Sequence, residues 1–427
     1  MSGEASPPAE LEALLDRLLE LTRLWARGAA DDGEAEEVRR EAIRRNHIRY
    51  LELVPVYRHL AREEGLTEHS GFDAIVEHAL LADEVFKSYR PEWIESRSFD
   101  RMTSWLGDRF IRRLRIDADL DGVGAWKARL KEDGVYLSFS SGTSGRLSFV
   151  PRDRRTLEAL MRNGQSYYHT VWAPSPDGRY GDFDSLILGG TGAGMGLQSA
   201  GSGLARMARR SHFLMGFELR PEDLGRREGS AFWDAAYGRS LEFLRDAADE
   251  GVRTLIFGAP FQVQELCERI AAGPRLLPMP PGSLLISGGG WKAHDGRRVP
   301  RELLWEQAGQ ALAIPPDHII DTYSTTELNC VFMTCPQGRY HVPPLVEPVV
   351  LDETYTGRPG SPGTGILGVL DPFALSYPGF IVTEDQVDLV RGVCDCGLAG
   401  WHIRGEIHRA PGVQPKGCGG VMAAVTA

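Results

Sequence analysis

From Val135 to Cys335, short apolar runs alternate with helical stretches, and each run stops at glycine or at small hydroxyl residues. Val135-Tyr136-Leu137-Ser138-Phe139 leads into Ser140-Ser141-Gly142-Thr143-Ser144-Gly145, Leu186-Ile187-Leu188 into Gly189, and Thr254-Leu255-Ile256-Phe257 into Gly258. Leu284-Leu285-Ile286 ends in Ser287-Gly288-Gly289-Gly290. Short continuous apolar runs are strands buried on both faces, and strands separated by helices join in parallel. The pattern predicts an α/β fold: a largely parallel sheet covered by helices, with ligands held where the strands end. The 427 residues exceed one compact core. Residues 1–130 read as a helical N-terminal region, carried by Leu11, Leu14, Leu15, Leu18, Leu21 and Leu24 at helical spacing. Residues 131–335 read as the α/β core, and 336–427, where Pro and Gly punctuate β-branched runs, as a small β-rich subdomain.

The loop Ser140 to Gly145 gives backbone N–H groups room to wrap an anion, with hydroxyls to complete the cage. The same composition also suits an ordinary surface loop. It is neither a G-x-x-x-x-G-K-[ST] phosphate loop nor a G-x-G-x-x-G dinucleotide fingerprint. Downstream, Ile319-Ile320-Asp321-Thr322 reads as a buried strand running into Tyr323-Ser324-Thr325-Thr326-Glu327. There a carboxylate follows a hydroxyl at a strand end, so it can hold a metal that neutralises the phosphate the hydroxyl orients.

Together these segments resemble the adenylate-forming superfamily of acyl-CoA synthetases, luciferases and peptide-synthetase adenylation domains. The Gly288-Gly289-Gly290-Trp291-Lys292 segment looks like the branch with the luciferase-type acyl-protein synthetases and phenylacetate-CoA ligases. The resemblance covers most of 135–418 and implies a role for each matched residue. Ser140, Ser141, Gly142, Thr143, Ser144 and Gly145 would hold the β- and γ-phosphates of ATP. Gly288, Gly289 and Gly290 would face the adenine and the substrate carboxylate, with Tyr323 near the adenine. Thr326 would touch the α-phosphate, Glu327 would hold Mg²⁺, and Asp385, in Ile381-Val382-Thr383-Glu384-Asp385, would take the ribose hydroxyls. Read by itself, Asp385 is equally a turn former. Ser324 and Glu384 stand where the family has glycine, Ser148 where its phosphate loop often has lysine, and Gly405-Glu406 near its Gly-Arg hinge. The family's mobile lid domain is expected to be absent, since the chain stops about where it would begin. Lys292 is then a candidate for the lid's charge, or an ordinary surface lysine.

Cys394-Asp395-Cys396-Gly397 lets two thiolates reach one ion from a tight turn, and Cys335 and His341 form a second pair. The four make a closed Cys3His set for structural Zn²⁺, an arrangement whose elements the phenylacetate-CoA ligase-like branch shares; reduced, uncoordinated thiols are the other reading. Cys267 and Cys330 read as core. Cys418 is either the acyl acceptor that the acyl-protein synthetase branch carries near its end, with Lys416 favouring thiolate, or a small buried residue.

A formal net charge of −11 argues against nucleic acid and anionic membranes as partners. The run Arg152-Asp153-Arg154-Arg155 reads as a solvated face. With no apolar leader and six cysteines in a long chain, the expected compartment is the cytoplasm. The resemblance implies a ligase that activates an aryl or fatty carboxylic acid as its adenylate. The acyl group would then pass to Cys418 or to a reductase or carrier protein. The departures from the motifs leave a second reading, a degenerate fold that binds a ligand or scaffolds a partner.

Overall fold

The computed structural model describes residues 7–29, 32–116, 119–140, 146–165, 182–192, 196–218, 230–274, 276–291, 296–352 and 357–410. Up to Glu132 the chain is mostly helical, with α1 (Ala9–Trp25), α2 (Asp32–Leu53), α3 (Pro55–Glu63) and α4 (Phe72–His78). A two-residue strand, β1 (Leu81–Ala82), and a 3-10 turn at Asp83–Phe86 follow, then α5 (Glu92–Glu95), α6 (Phe99–Gly107) and α7 (Val123–Glu132). Helix α1 buries Leu11, Leu15, Leu18 and Leu21 and turns Glu10, Glu12 and Glu20 outward, the two faces its spacing dictates.

β2 (Tyr136–Ser140) and β3 (Ser148–Arg152) form a separate antiparallel hairpin, with Ser140 opposite Ser148. After α8 (Arg154–Gln165) comes the alternating segment: β4 (Asp184–Thr191), α9 (Gly196–Met207), β5 (Arg210–Glu218), α10 (Ser230–Asp249), β6 (Thr254–Gly258), α11 (Pro260–Ala271), β7 (Leu284–Gly288), α12 (Arg301–Leu312) and β8 (Ile319–Tyr323). These strands run parallel in the order β5-β4-β6-β7-β8. Every residue of β6 and β7 is buried, as continuous apolar runs under helices on both faces require.

The sheet does not break at residue 335. β9 (Phe332–Thr334) turns back antiparallel on β8, and β10 (Tyr340–His341) pairs with it. β11 (Glu347–Leu351), β12 (Gly357–Arg358), β13 (Gly363–Leu370), β14 (Phe380–Arg391) and β15 (Trp401–Arg409) extend the same 13-stranded sheet. At the far end of β14, Val387 and Leu389 point inward while Gln386 and Asp388 are half-exposed, the alternation of a sheet with one solvated face. β1 pairs with β14 through Leu81↔Ile381 and Ala82↔Val382, bringing the Asp83–Phe86 turn beside Thr383 to Asp385.

Helix α2 clamps the segment before β14. Asn46, Arg49 and Tyr50 share one face and donate to the carbonyls of Pro372 (2.6 Å), Leu375 (3.3 Å) and Ala374 (2.5 Å) respectively. No helix among the described residues is long and apolar enough to cross a membrane.

Candidate active site

The parallel topology puts the carboxyl ends of β7 and β8 side by side, and the local chemistry there depends on a missing side chain. A Cβ on Gly288 would lie 2.2 Å from Thr322 Oγ1, which instead approaches closely and donates to the Ser287 carbonyl at 2.7 Å. Ser287 Oγ in turn donates to Asp321 at 2.7 Å, and Tyr340 OH takes the other Asp321 oxygen. The two strand ends are thus cross-linked immediately below the Gly288-Gly289-Gly290 turn, where Gly289 and Gly290 take φ of 81° and 67°.

At the end of β8, Tyr323 OH donates to Asp385 Oδ2 at 2.8 Å, so two residues 62 apart meet. Arg409 lies 3.1 Å from the other Asp385 oxygen and 3.3 Å from Glu384. Burial pushes the Asp385 carboxyl above its ordinary value, against the pull of Arg409 and the Tyr323 bond. Glu327 is 4% exposed, and Ser148 Oγ donates to it at 2.7 Å across 179 residues. Ser148, where the family's phosphate loop often has lysine, is thus committed to the glutamate. Burial, with Asp83 adding to it, raises the Glu327 carboxyl; the Ser148 bond and the charge of Lys87 oppose.

Lys87 was not legible as a site residue. It sits at the end of the 3-10 turn, 5% exposed, with Nζ 2.6 Å from Asp83. Burial disfavours its charge, yet Asp83, Glu384 and Glu327 raise its affinity for the proton. Asp83, Glu84 and Glu384 have carboxylate oxygens within 4.8 Å of one another, and Glu84, under burial and Asp83, is pushed up to about 7. Lys87 joins Arg409 as a cation at that acidic edge, delivered by the two-residue pairing of β1 with β14, which no hydropathy pattern announces.

The run Arg152-Asp153-Arg154-Arg155 is not a solvated face throughout. Arg152 is 1% exposed, at the end of β3, and Asp153 is buried as the cap of α8, accepting from Thr156 N at 2.8 Å. Only beyond the cap does the chain turn Arg154 outward.

Ser140 ends β2 opposite Ser148. Ser141 to Gly145, Lys292 and Cys418 lie outside the described residues. Thr326 is placed beside Glu327, with its carbonyl held by Arg152 at 2.7 Å.

A second cluster lies where β10 meets the turn between β14 and β15. Cys335, His341, Cys394 and Cys396 bring their ligand atoms within 4.8 Å of one another. Cys335 Sγ to Cys394 Sγ is 3.9 Å and Cys396 Sγ to His341 Nε2 is 3.3 Å. A tetrahedral zinc with ~2.3 Å Zn–S bonds sets sulfurs about 3.8 Å apart, so the donors fit such an ion. Both thiol turns are built alike: Gly338 N donates to Cys335 O and Gly397 N to Cys394 O, each glycine at positive φ. Burial and the nearby His402 and Arg339 lower the His341 ring to about 4, leaving it neutral and able to ligate. Cys267 and Cys330 are buried, as core thiols.

The fold is similar to that of solved acyl-CoA ligases of the adenylate-forming kind. A crystal structure of 2-hydroxyisobutyryl-CoA ligase in an open conformation, in complex with 2-HIB-AMP and CoA, matches with a TM-score of 0.54 at 13% identity, over 87% of this chain and 74% of that one. The same ligase in its postadenylation state with R3-HIB-AMP gives 0.56 at 12% identity, over 88% and 68%. At these identities the likeness is one of fold.

Within that class the similarity is to the acyl-protein synthetases: residues 238–426 match the family described as "Acyl-protein synthetase, LuxE". The long-chain-fatty-acid–luciferin-component ligase of Vibrio harveyi is 34% identical over 109 residues, 25% of this chain and 28% of that protein. Its counterpart in Aliivibrio fischeri is 31% identical over 132 residues, 30% of this chain and 35% of that protein. The chain thus spans 28% and 35% of the lengths of these two relatives.

Proposed function

We propose that this chain activates a carboxylic acid with ATP. A carboxylate oxygen of the acid attacks the α-phosphorus, the bond from that phosphorus to the α,β-bridging oxygen breaks, and pyrophosphate leaves with the electron pair. The product is an acyl adenylate. The observation that carries the reading is the Ser148 to Glu327 bond, because it joins the phosphate-loop hairpin to the loop whose glutamate would hold Mg²⁺.

Each residue has a task. Ser140 to Gly145 cradle the β- and γ-phosphates, Thr326 orients the α-phosphate, and Asp385, oriented by Tyr323, accepts the ribose hydroxyls. Gly288 to Gly290 leave the backbone bare for the adenine and the acid. Mg²⁺ at Glu327 supplies neutralisation of the polyphosphate charge. The charge of Lys87 favours the ionised form of Glu327 against its burial. Lys292 stands as a further cation for the developing charge. Zn²⁺ in the Cys335, His341, Cys394 and Cys396 set is structural, since no position is left for water.

The relatives' names favour a long-chain fatty acid, and the branch resemblance also admits an aryl acid. The acyl group goes on to Cys418 or to a partner protein, a reductase or carrier, and the enzyme works in the cytoplasm. Pyrophosphate exchange with a panel of fatty and aromatic acids tests the first step: exchange with none of them overturns it. Intact-mass spectrometry separates the acceptors: an adduct lost in Cys418→Ala supports the thiol, and no adduct supports direct transfer.

One observation favours a second reading, a degenerate fold acting as a ligand-binding or scaffold protein. Both Asp385 oxygens already have protein partners, and Glu327 is almost wholly covered. ATP binding without exchange under any acid is what that reading expects.

A further inference from the structure

Four residues outside the motifs converge on the loop that carries Glu327. Arg152 reaches from β3, almost fully buried, and grips both sides of the glutamate. Its Nη2 donates to the carbonyls of Thr326 at 2.7 Å and Leu328 at 3.3 Å, and to Tyr377 OH at 3.1 Å; its Nε donates to Asn329 Oδ1 at 3.0 Å. Tyr377 OH completes the grip by donating to the Glu327 carbonyl itself at 2.6 Å. Asn329 is held by Asp371, which accepts from its backbone N–H at 2.6 Å and its side-chain amide at 3.1 Å. Asp371, Asn329 and Tyr377 are all fully buried, so none of these bonds competes with water.

We propose that Arg152 is a positioning residue for the metal-binding glutamate, acting with Tyr377, Asn329 and Asp371 to fix the Thr326–Leu328 backbone so that Glu327 meets Mg²⁺·ATP in one geometry. The inference rests on the reading of Glu327 given above and deepens it. Arg152 and Ser148 are the two ends of β3, so one strand holds the glutamate's side chain at one end and its backbone at the other. A lysine could not do this: its ammonium lacks the planar fork that here reaches two carbonyls, an amide oxygen and a phenol. The cluster also ties the site to helix α2, whose Asn46, Arg49 and Tyr50 hold the carbonyls of Pro372, Leu375 and Ala374 in the segment bearing Asp371 and Tyr377.

The test needs no knowledge of the acid. The full chain is titrated calorimetrically with adenylyl imidodiphosphate, with and without MgCl₂, for wild type, Glu327→Gln, Arg152→Gln, Arg152→Lys and Tyr377→Phe. Wild type is expected to bind more tightly with Mg²⁺, and Glu327→Gln to lose that gain. Arg152→Gln and Tyr377→Phe should lose about tenfold of the Mg²⁺-supported affinity with metal-free binding nearly unchanged, and Arg152→Lys should recover only part. An equal loss with and without Mg²⁺ would mean a merely structural role and overturn the proposal, as would full Mg²⁺ dependence in both variants. If Arg152→Gln does not fold, Tyr377→Phe, which removes a single oxygen, decides. Absence of any Mg²⁺ effect in wild type, or its persistence in Glu327→Gln, refutes the underlying role of Glu327 and the positioning role with it.

Discussion

The loop around Glu327 and the cluster around His341 are both buried and polar, and they solve that problem in opposite ways. Around Glu327 the protein supplies most of the partners itself: a hydroxyl for the carboxylate, a guanidinium and a phenol for the carbonyls, a carboxylate for the amide, with Arg152 Nη1 and Thr325 Oγ1 left without a hydrogen-bond partner among the described residues. Around His341 three thiols and a ring nitrogen crowd together, while the ring's Nδ1 is buried with no hydrogen-bond partner among the described residues. Cys396, under burial and the neighbouring thiols, is pushed up to about 12, and burial raises the Cys335 thiol as well, so without an ion these two sulfurs stay protonated. A site completed by protein partners should fail in graded steps, and one completed by an ion should fail at once.

The largest effect should therefore come from the Cys/His cluster. Binding energy of structural zinc is folding energy, of order 10 kcal/mol in small domains. Stripping the metal or making Cys394→Ser should lower the melting temperature by at least roughly 10 °C. Elemental analysis and calorimetry check this; substoichiometric metal with wild-type melting would remove the distinction between the two clusters.

Glu327→Gln should cut pyrophosphate exchange by roughly 10²-fold or more while the melting temperature hardly moves. Exchange at the wild-type rate by a folded variant would take the residue out of the chemistry.

A subtler effect concerns pH. Metal binding needs the Glu327 carboxylate ionised, and its proton affinity is raised, so activity should fall on the acid side at a pH above the usual carboxylate range. Lys87 holds that value down and Asp83 holds it up. Lys87→Met should move the acid limb to higher pH and Asp83→Asn to lower pH, read from kcat/KM profiles. A shift in the same direction for both would show that the limb belongs to another group.

The smallest expected effect tests the close approach at the β7 end. Gly288→Ala places a methyl 2.2 Å from Thr322 Oγ1 and should cost about 1–3 kcal/mol of stability. Thr322→Ala in the same chain should recover part of it, since the clash is with that hydroxyl. Additive losses in the double variant would place the strain elsewhere.

What the sequence determined by itself was whatever is local. Continuous apolar runs ending in glycine specify parallel strands and the edge at which they finish, and the hydroxyl-glycine-carboxylate order at those ends is what the proposed phosphate and metal roles are read from. Cys394 and Cys396 likewise read directly as a pair, because two thiols on one tight turn need no distant partner to lie close together. Only the tertiary structure decided what those residues lean on. The charge of Lys87 felt at Glu327 depends on two residues of β1 adding to β14, and Arg152 under the Thr326–Leu328 backbone depends on β3 ending inside the core rather than at the surface. The continuation of one sheet past residue 335 depends on β9 reversing against β8. Pairings across tens to hundreds of residues leave no period in the chain: their energy comes from desolvation and hydrogen bonds that exist only once both partners are buried together.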